Sequence, residues 1–128
     1  MRIFMISNET FLYDTYALIE LLNKNKYYEN YADKDIVINE FIYAEFCYQM
    51  HVLNVVNPQQ YLDEVKPAVI KPTLETIKKA MDFRYKNKKN KMSMTDCVSY
   101  IMAQELEIKF LTGDKEFENL ENVEFVKK

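Results

Sequence analysis

Four short runs of β-branched, aromatic and aliphatic residues punctuate this chain, at residues 10–13, 36–38, 108–111 and 123–126, with helical stretches between them. A strand covered on both faces reads as a continuous apolar run, and strands separated by helices pair parallel because the chain must return to its starting edge. The spacing therefore predicts an α/β fold, a three-layer α/β/α arrangement around a mostly parallel central sheet. Helices are expected over residues 14–23, 27–32, 39–51, 58–65, from Pro72 through Phe83, and over 94–107. Pro58 suits a first helical position and Ser93 a cap. At 128 residues the chain fits one domain with one sizeable core, spanning 1–128, in which residues 1–9 form an N-terminal extension.

The chain has a single glycine, Gly113. A Gly-rich phosphate loop is excluded, because such loops need several glycines for the backbone to approach the phosphates. Phosphate chemistry here must use side chains and metal. Cys47 and Cys97 lie far apart, and His51 is the one histidine. Neither a zinc site of the usual Cys/His kind nor a disulfide scaffold can be assembled from them, and a reducing cytoplasm is the expected location. The opening apolar run is too short for a signal peptide or a membrane span, and no later segment is long enough to span.

A net charge of −3 argues against a nucleic-acid binder held by electrostatics alone. The distribution says more than the sum. Residues 84–91 contain Arg84, Lys86, Lys88, Lys89 and Lys91, a basic loop on an otherwise acidic body. It reads either as a substrate-binding segment or as a solvated charge run.

In an open parallel sheet, ligands bind outside the carboxyl ends of the strands. Asp14 ends the first strand and Asp114 follows the third, where catalytic acids would sit; aspartates also cap helices and fill turns. Asp96 stands three residues after Ser93, a capping-box spacing, and shares its helical face with Ser99, Tyr100 and Ala103, small residues among them leaving space by the carboxylate. Glu45 has Phe41, Ile42, Tyr48 and Gln49 as its helical neighbours, a largely apolar face. A buried, unpaired glutamate there would cost several kcal/mol, on the order of the penalty for any buried charge, unless a metal or its own reach to solvent relieved it.

The conjunction resembles a known family. Residues 11–19, with Asp14-Thr15, look like the opening strand and helix of PIN-domain nucleases. Residues 38–46, ending Tyr43-Ala44-Glu45-Phe46, are similar to their second acidic motif, and Ser93-Met94-Thr95-Asp96 to the head of the helix with the third acid. Thr112-Gly113-Asp114-Lys115-Glu116-Phe117 resembles the closing T-x-D-x-x-F segment. The likeness runs from about residue 10 to the end and is greatest to VapC-type toxins of toxin–antitoxin pairs. Tyr16 stands where many relatives have Asn, and Ile42 where the second motif often has Thr; neither departure touches the four acids.

The resemblance implies a metal-dependent endoribonuclease that hydrolyses RNA phosphodiester bonds. Asp14 and Asp96 would be the principal ligands of Mg²⁺ or Mn²⁺, with Glu45 and Asp114 direct or water-mediated. Thr15 and Thr112 would hydrogen-bond the acids or a phosphate oxygen, or else be ordinary helix-start and turn threonines; Glu116 would stand in reserve for Asp114. The implied partners are an RNA substrate, an antitoxin protein and a second copy of the chain, with no membrane. Tyr27, Tyr28, Tyr31, Phe41, Tyr43, Phe46 and Tyr48 offer more rings than one small core readily takes, which suits a dimer surface or antitoxin groove. Alternatives are an RNA-processing nuclease without an antitoxin and a degenerate domain that binds RNA or protein without cutting. A phosphoacceptor receiver domain lacks support, since neither its acidic pair after the first strand nor its late lysine is present in order.

Overall fold

The computed structural model describes residues 9–127. Apart from Glu9, the expected extension over 1–9 lies outside the described residues. The elements run β1 (Thr10–Tyr13), α1 (Thr15–Leu22), a 3₁₀ segment (Lys26–Tyr31), β2 (Asp35–Val37), α2 (Glu40–Val52), α3 (Pro58–Val65), α4 (Leu74–Lys86), α5 (Met94–Glu105), β3 (Lys109–Thr112) and β4 (Val123–Phe125). Short 3₁₀ turns at Lys66–Ala68 and Lys115–Phe117 complete the path.

The four strands form one sheet in the order β2-β1-β3-β4, and every pairing is parallel. β1 is the strand on which the rest is built. It pairs Phe11 with Ile36 on one side and Leu12 with Phe110 on the other, and all four of its residues are buried. Its unbroken apolar character follows from having helices against both faces. The chain leaves β1 toward β2, then crosses back over β1 to enter β3. In parallel sheets right-handed crossovers on either side of such a reversal send the helices to opposite faces and leave a crevice at the switch point, which falls here at the carboxyl ends of β1 and β3.

α1 rests against α2, whereas α5 packs along α4 and against β3. On α5, the ring of Tyr100 sits between Phe83 of α4 (5.2 Å between centroids) and Phe117 (5.7 Å), and Phe117 meets Phe110 of β3 edge-on at 5.4 Å. Phe117 is fully buried. Its burial fixes the turn that follows β3, and with it the position of Asp114.

Several boundaries differ from the sequence expectation for identifiable reasons. Residues 27–32 form 3₁₀ rather than α-helix. The second strand starts and stops one residue early, because Ile38 leaves the β1 ladder to bridge Val69; its N–H donates to the Ala68 carbonyl at 3.0 Å and its own carbonyl accepts from Ile70. α5 ends before Glu107, whose φ of 59° is left-handed and turns the chain into β3. Pro72 does not open α4. Thr73 does, its hydroxyl accepting from the Thr76 N–H at 3.1 Å. Among the tyrosine-rich segments, Tyr28 and Phe46 are core residues and only Tyr27 and Tyr48 are exposed, so the core takes most of the rings. No helix among the described residues is long and apolar enough to cross a membrane.

Candidate active site

Asp14 emerges from the buried end of β1, its N–H still in the ladder with the Leu111 carbonyl of β3 at 3.0 Å. It caps α1: the backbone is extended, and Oδ1 accepts from the Ala17 N–H at 2.6 Å. The other carboxylate oxygen, Oδ2, accepts from the Thr112 hydroxyl at the end of β3. Both side chains are buried, and Thr112 Oγ1 in turn accepts from the Asp114 N–H at 3.0 Å. Thr112 therefore ties two acids from the two ends of the chain. Asp114 is half-buried and caps the Lys115–Phe117 turn by accepting from the Glu116 N–H at 3.0 Å. Glu116 itself is exposed, and its recorded hydrogen bond is made by its backbone.

Asp96 lies in the first turn of α5, with its N–H held by the Ser93 hydroxyl at 3.0 Å. Burial, the charges of Asp14, Asp114 and Glu45, in that order, push its carboxyl up from 3.8 to about 7, against a small opposing effect of Ser93. Three acids drawn from β1, α2 and the turn after β3 thus act on one carboxylate. The sequence placed these four residues in separate motifs; the fold puts three of them within electrostatic reach of the fourth, Asp96.

Glu45 reaches this centre differently from the way its neighbours suggest. It is exposed, not buried. The buried stripe of α2 is Ile42, Phe46 and Met50, and Glu45 projects beside it. Its Oε1 accepts from the Thr15 hydroxyl at 2.6 Å, which joins α2 to the start of α1. A cleft of about 620 Å³ opens at that junction, with Thr15, Tyr16, Glu45 and Tyr48 among its walls.

The space expected beside Asp96 is also filled. Ser99 is fully buried; its hydroxyl donates to the Thr95 carbonyl at 2.7 Å and accepts from Asn39 Nδ2 at 3.0 Å. Asn39, fully buried, caps α2 through Oδ1, which accepts from the N–H groups of Phe41 and Ile42. One side chain therefore caps the helix of Glu45 and ties it to the helix of Asp96. A helix starting at residue 39 was legible in the sequence; the tie across 60 residues was not.

At this point the likeness to known structures becomes informative. The chain folds like one found in a toxin–antitoxin complex from Klebsiella pneumoniae. The superposition has a TM-score of 0.76 over 92% of this chain and 98% of that chain, at 15% sequence identity. At that identity the likeness concerns the fold. No protein-family model matches the sequence, and no curated protein matches it.

Among the described residues, no three carboxylate, thiol or imidazole groups converge closely enough to form a ready cage for a metal ion. Such a cage is what zinc or calcium demands. A hard, strongly hydrated ion is less exacting, because Mg²⁺ keeps several waters and takes only one or two carboxylates directly. The all-oxygen donors here, one of them carrying an electrostatic penalty that a cation would relieve, suit that kind of ion by their chemistry.

The basic run divides. Arg84 Nε donates to the Met92 carbonyl at 3.1 Å, which pins the loop between α4 and α5. Lys86 pairs with Asp82 one helical turn back at 2.9 Å. Lys88 lies over the Tyr85 ring, 4.5 Å from its centroid. Arg84, Lys88 and Lys91 line a common cleft with Tyr85, whereas Lys86 and Lys89 do not.

Proposed function

We propose that the chain is a metal-dependent endoribonuclease of the PIN-domain, VapC-like kind, the toxin of a toxin–antitoxin pair. The observation that carries this reading is that Asp14, Asp114 and Glu45 all act on the half-buried Asp96 and favour its uncharged form. Four carboxylates in one crevice repel one another, and a bound cation offsets that repulsion. The fold-level likeness to a chain of a toxin–antitoxin complex supports the toxin assignment.

In this reading Asp14 and Asp96 hold Mg²⁺ or Mn²⁺ directly, and Glu45 and Asp114 do so directly or through water. The ion supplies charge neutralisation at the scissile phosphate and water of lowered pKa. The chain's own contribution is rigidity. Thr112 fixes the orientation of Asp14 and the Asp114 backbone, Thr15 fixes Glu45, and Asn39 holds α2 on α5, so the acids are set before substrate arrives. RNA is the substrate, an antitoxin and a second copy of the chain are the protein partners, and the cytoplasm is the location. Light scattering tests the dimer, which a monomeric mass at micromolar concentration would refute.

Cleavage of RNA in Mg²⁺ or Mn²⁺, abolished by a chelator, tests the activity. Attack by water leaves 5′-phosphate ends. Cyclic-phosphate ends, or full activity in excess chelator, would overturn the mechanism.

A further inference from the structure

The cleft at the α4–α5 loop has a composition unlike the rest of the surface. Arg84, Lys88 and Lys91 line it together with Tyr85 and Asn87, and Met81 and Met92 are its remaining walls. No acid lines it, in a chain of net charge −3. Its volume is about 370 Å³. The walls are held in place: the Arg84 guanidinium is anchored on the Met92 carbonyl, and the Asn87 amide donates to the Phe83 carbonyl at 2.9 Å. Tyr85 is 70% exposed, far beyond what core packing would leave, with the Lys88 ammonium on its ring.

We infer that this cleft is a nucleotide subsite for single-stranded RNA, in which an unpaired base stacks on Tyr85 and its phosphates meet Lys88, Lys91 and the free N–H groups of Arg84. The inference deepens the ribonuclease reading and rests on it for the identity of the strand. Three cations without an acid select an anion, and an exposed ring beside them selects an anion that carries a flat aromatic group. Single-stranded nucleic acid has this chemistry at every residue, and stacking on a side-chain ring requires that the base be unpaired.

The placement agrees. Residues 87–93 lead from the cleft directly into α5, whose first turn carries Asp96. The loop that walls the cleft thus ends at the helical turn that carries Asp96. Asp82 of α4 and Lys86 form an exposed ion pair at 2.9 Å outside the cleft, which contributes little to its field.

The test is binding, measured in chelator so that cleavage plays no part. Fluorescence anisotropy of a fluorescein-labelled short single-stranded RNA is followed across a salt series. Lys88→Ala and Lys91→Ala should each weaken binding and flatten the log–log salt slope by about 0.7 per lost contact. Tyr85→Leu should weaken it roughly tenfold at every salt concentration with no change of slope, and Tyr85→Phe should restore it. The same RNA annealed to its complement should bind without sensitivity to Tyr85. Lys86→Ala, outside the cleft, should leave binding unchanged. If Lys86→Ala and Lys88→Ala weaken binding equally, or if Tyr85→Leu binds like the parent chain, the cleft is only part of a diffuse basic surface and the inference fails. Because no cleavage is read, binding with these signatures in a chain that never cuts RNA would refute the nuclease reading and leave the subsite standing.

Discussion

The acidic crevice and the basic cleft stand near opposite ends of the same short loop and are built on opposite principles. In the crevice each acid is fixed by a hydrogen bond from its own or a neighbouring element: Asp14 by Ala17 and Thr112, Asp114 by Glu116, Glu45 by Thr15. Asp14 is buried and Asp96 half-buried. In the cleft, Lys88 and Lys91 are exposed on a loop, and Lys88 is steadied by a ring rather than by a carboxylate. Desolvating like charges costs stability but fixes geometry; leaving cations in water costs little but fixes little. The difference assigns precision to the acids and affinity to the lysines.

Breaking the acid side should have the largest effect. Asp96→Asn should abolish RNA cleavage while leaving binding in chelator intact. It should also stabilise the fold in a pH-dependent way. The folded-state value of about 7 lies above the ordinary 3.8, so the folded chain retains a proton that the unfolded chain has released. The stability associated with that carboxyl is full below about pH 4 and is lost as pH rises through 7. In chelator at pH 8 the variant should therefore be more stable than the parent by on the order of 1–3 kcal/mol, and near pH 4 by almost nothing. Equal melting shifts at both pH values would show that Asp96 feels no such crowding.

Next comes the rigidity argument. Thr112→Val keeps the shape but removes the donor to the buried Asp14 carboxylate and the acceptor for the part-buried Asp114 N–H. A loss of about 1–3 kcal/mol is expected from the urea midpoint. An unchanged midpoint would mean that the acids are not held as described.

A smaller effect on folding separates Glu45 from Asp14. Because Glu45 is exposed, Glu45→Gln should change stability by less than about 0.5 kcal/mol while reducing cleavage. If it unfolds the chain, its role is structural. Smallest of all is Glu116→Gln. The side chain is exposed, and it is the backbone N–H, unchanged by the substitution, that donates to the capping carboxylate of Asp114. Cleavage and melting temperature should both stay at the parent values, and a fall in cleavage would promote Glu116 from the turn to the site.

What sequence reading recovers here depends on how local the cause is. Asp14, Asp96 and Asp114 announce themselves because each sits at an element boundary, and their caps form within three residues. The strand that ends at Tyr13 was legible for the same reason: four consecutive buried residues permit little else. Glu45 was read as lying on a largely apolar face, relieved by a metal or by its reach to solvent, because its neighbours at three and four residues are largely apolar; α2 turns a different stripe inward, a choice set by what packs against it, and leaves Glu45 exposed. The Asn39–Ser99 tie and the bridge between Ile38 and Val69 are made between distant residues, so no local pattern announces them.

The order of the sheet, with β1 lodged between β2 and β3, carries a consequence in time. The hydrogen bond from Thr112 to Asp14 spans 98 positions, and nothing emerging earlier from the ribosome can take the place of β3 beside β1. The first acid to be synthesised thus waits for almost the last strand. Contacts of such long range form late and slowly, after local helices have settled. A nascent chain that has exposed Asp14, Glu45 and even Asp96 still lacks the strand whose Thr112 orients Asp14, and the site is completed only once β3 has emerged. On the proposed ribonuclease reading, the fold itself would postpone the hazard until β3 has been made.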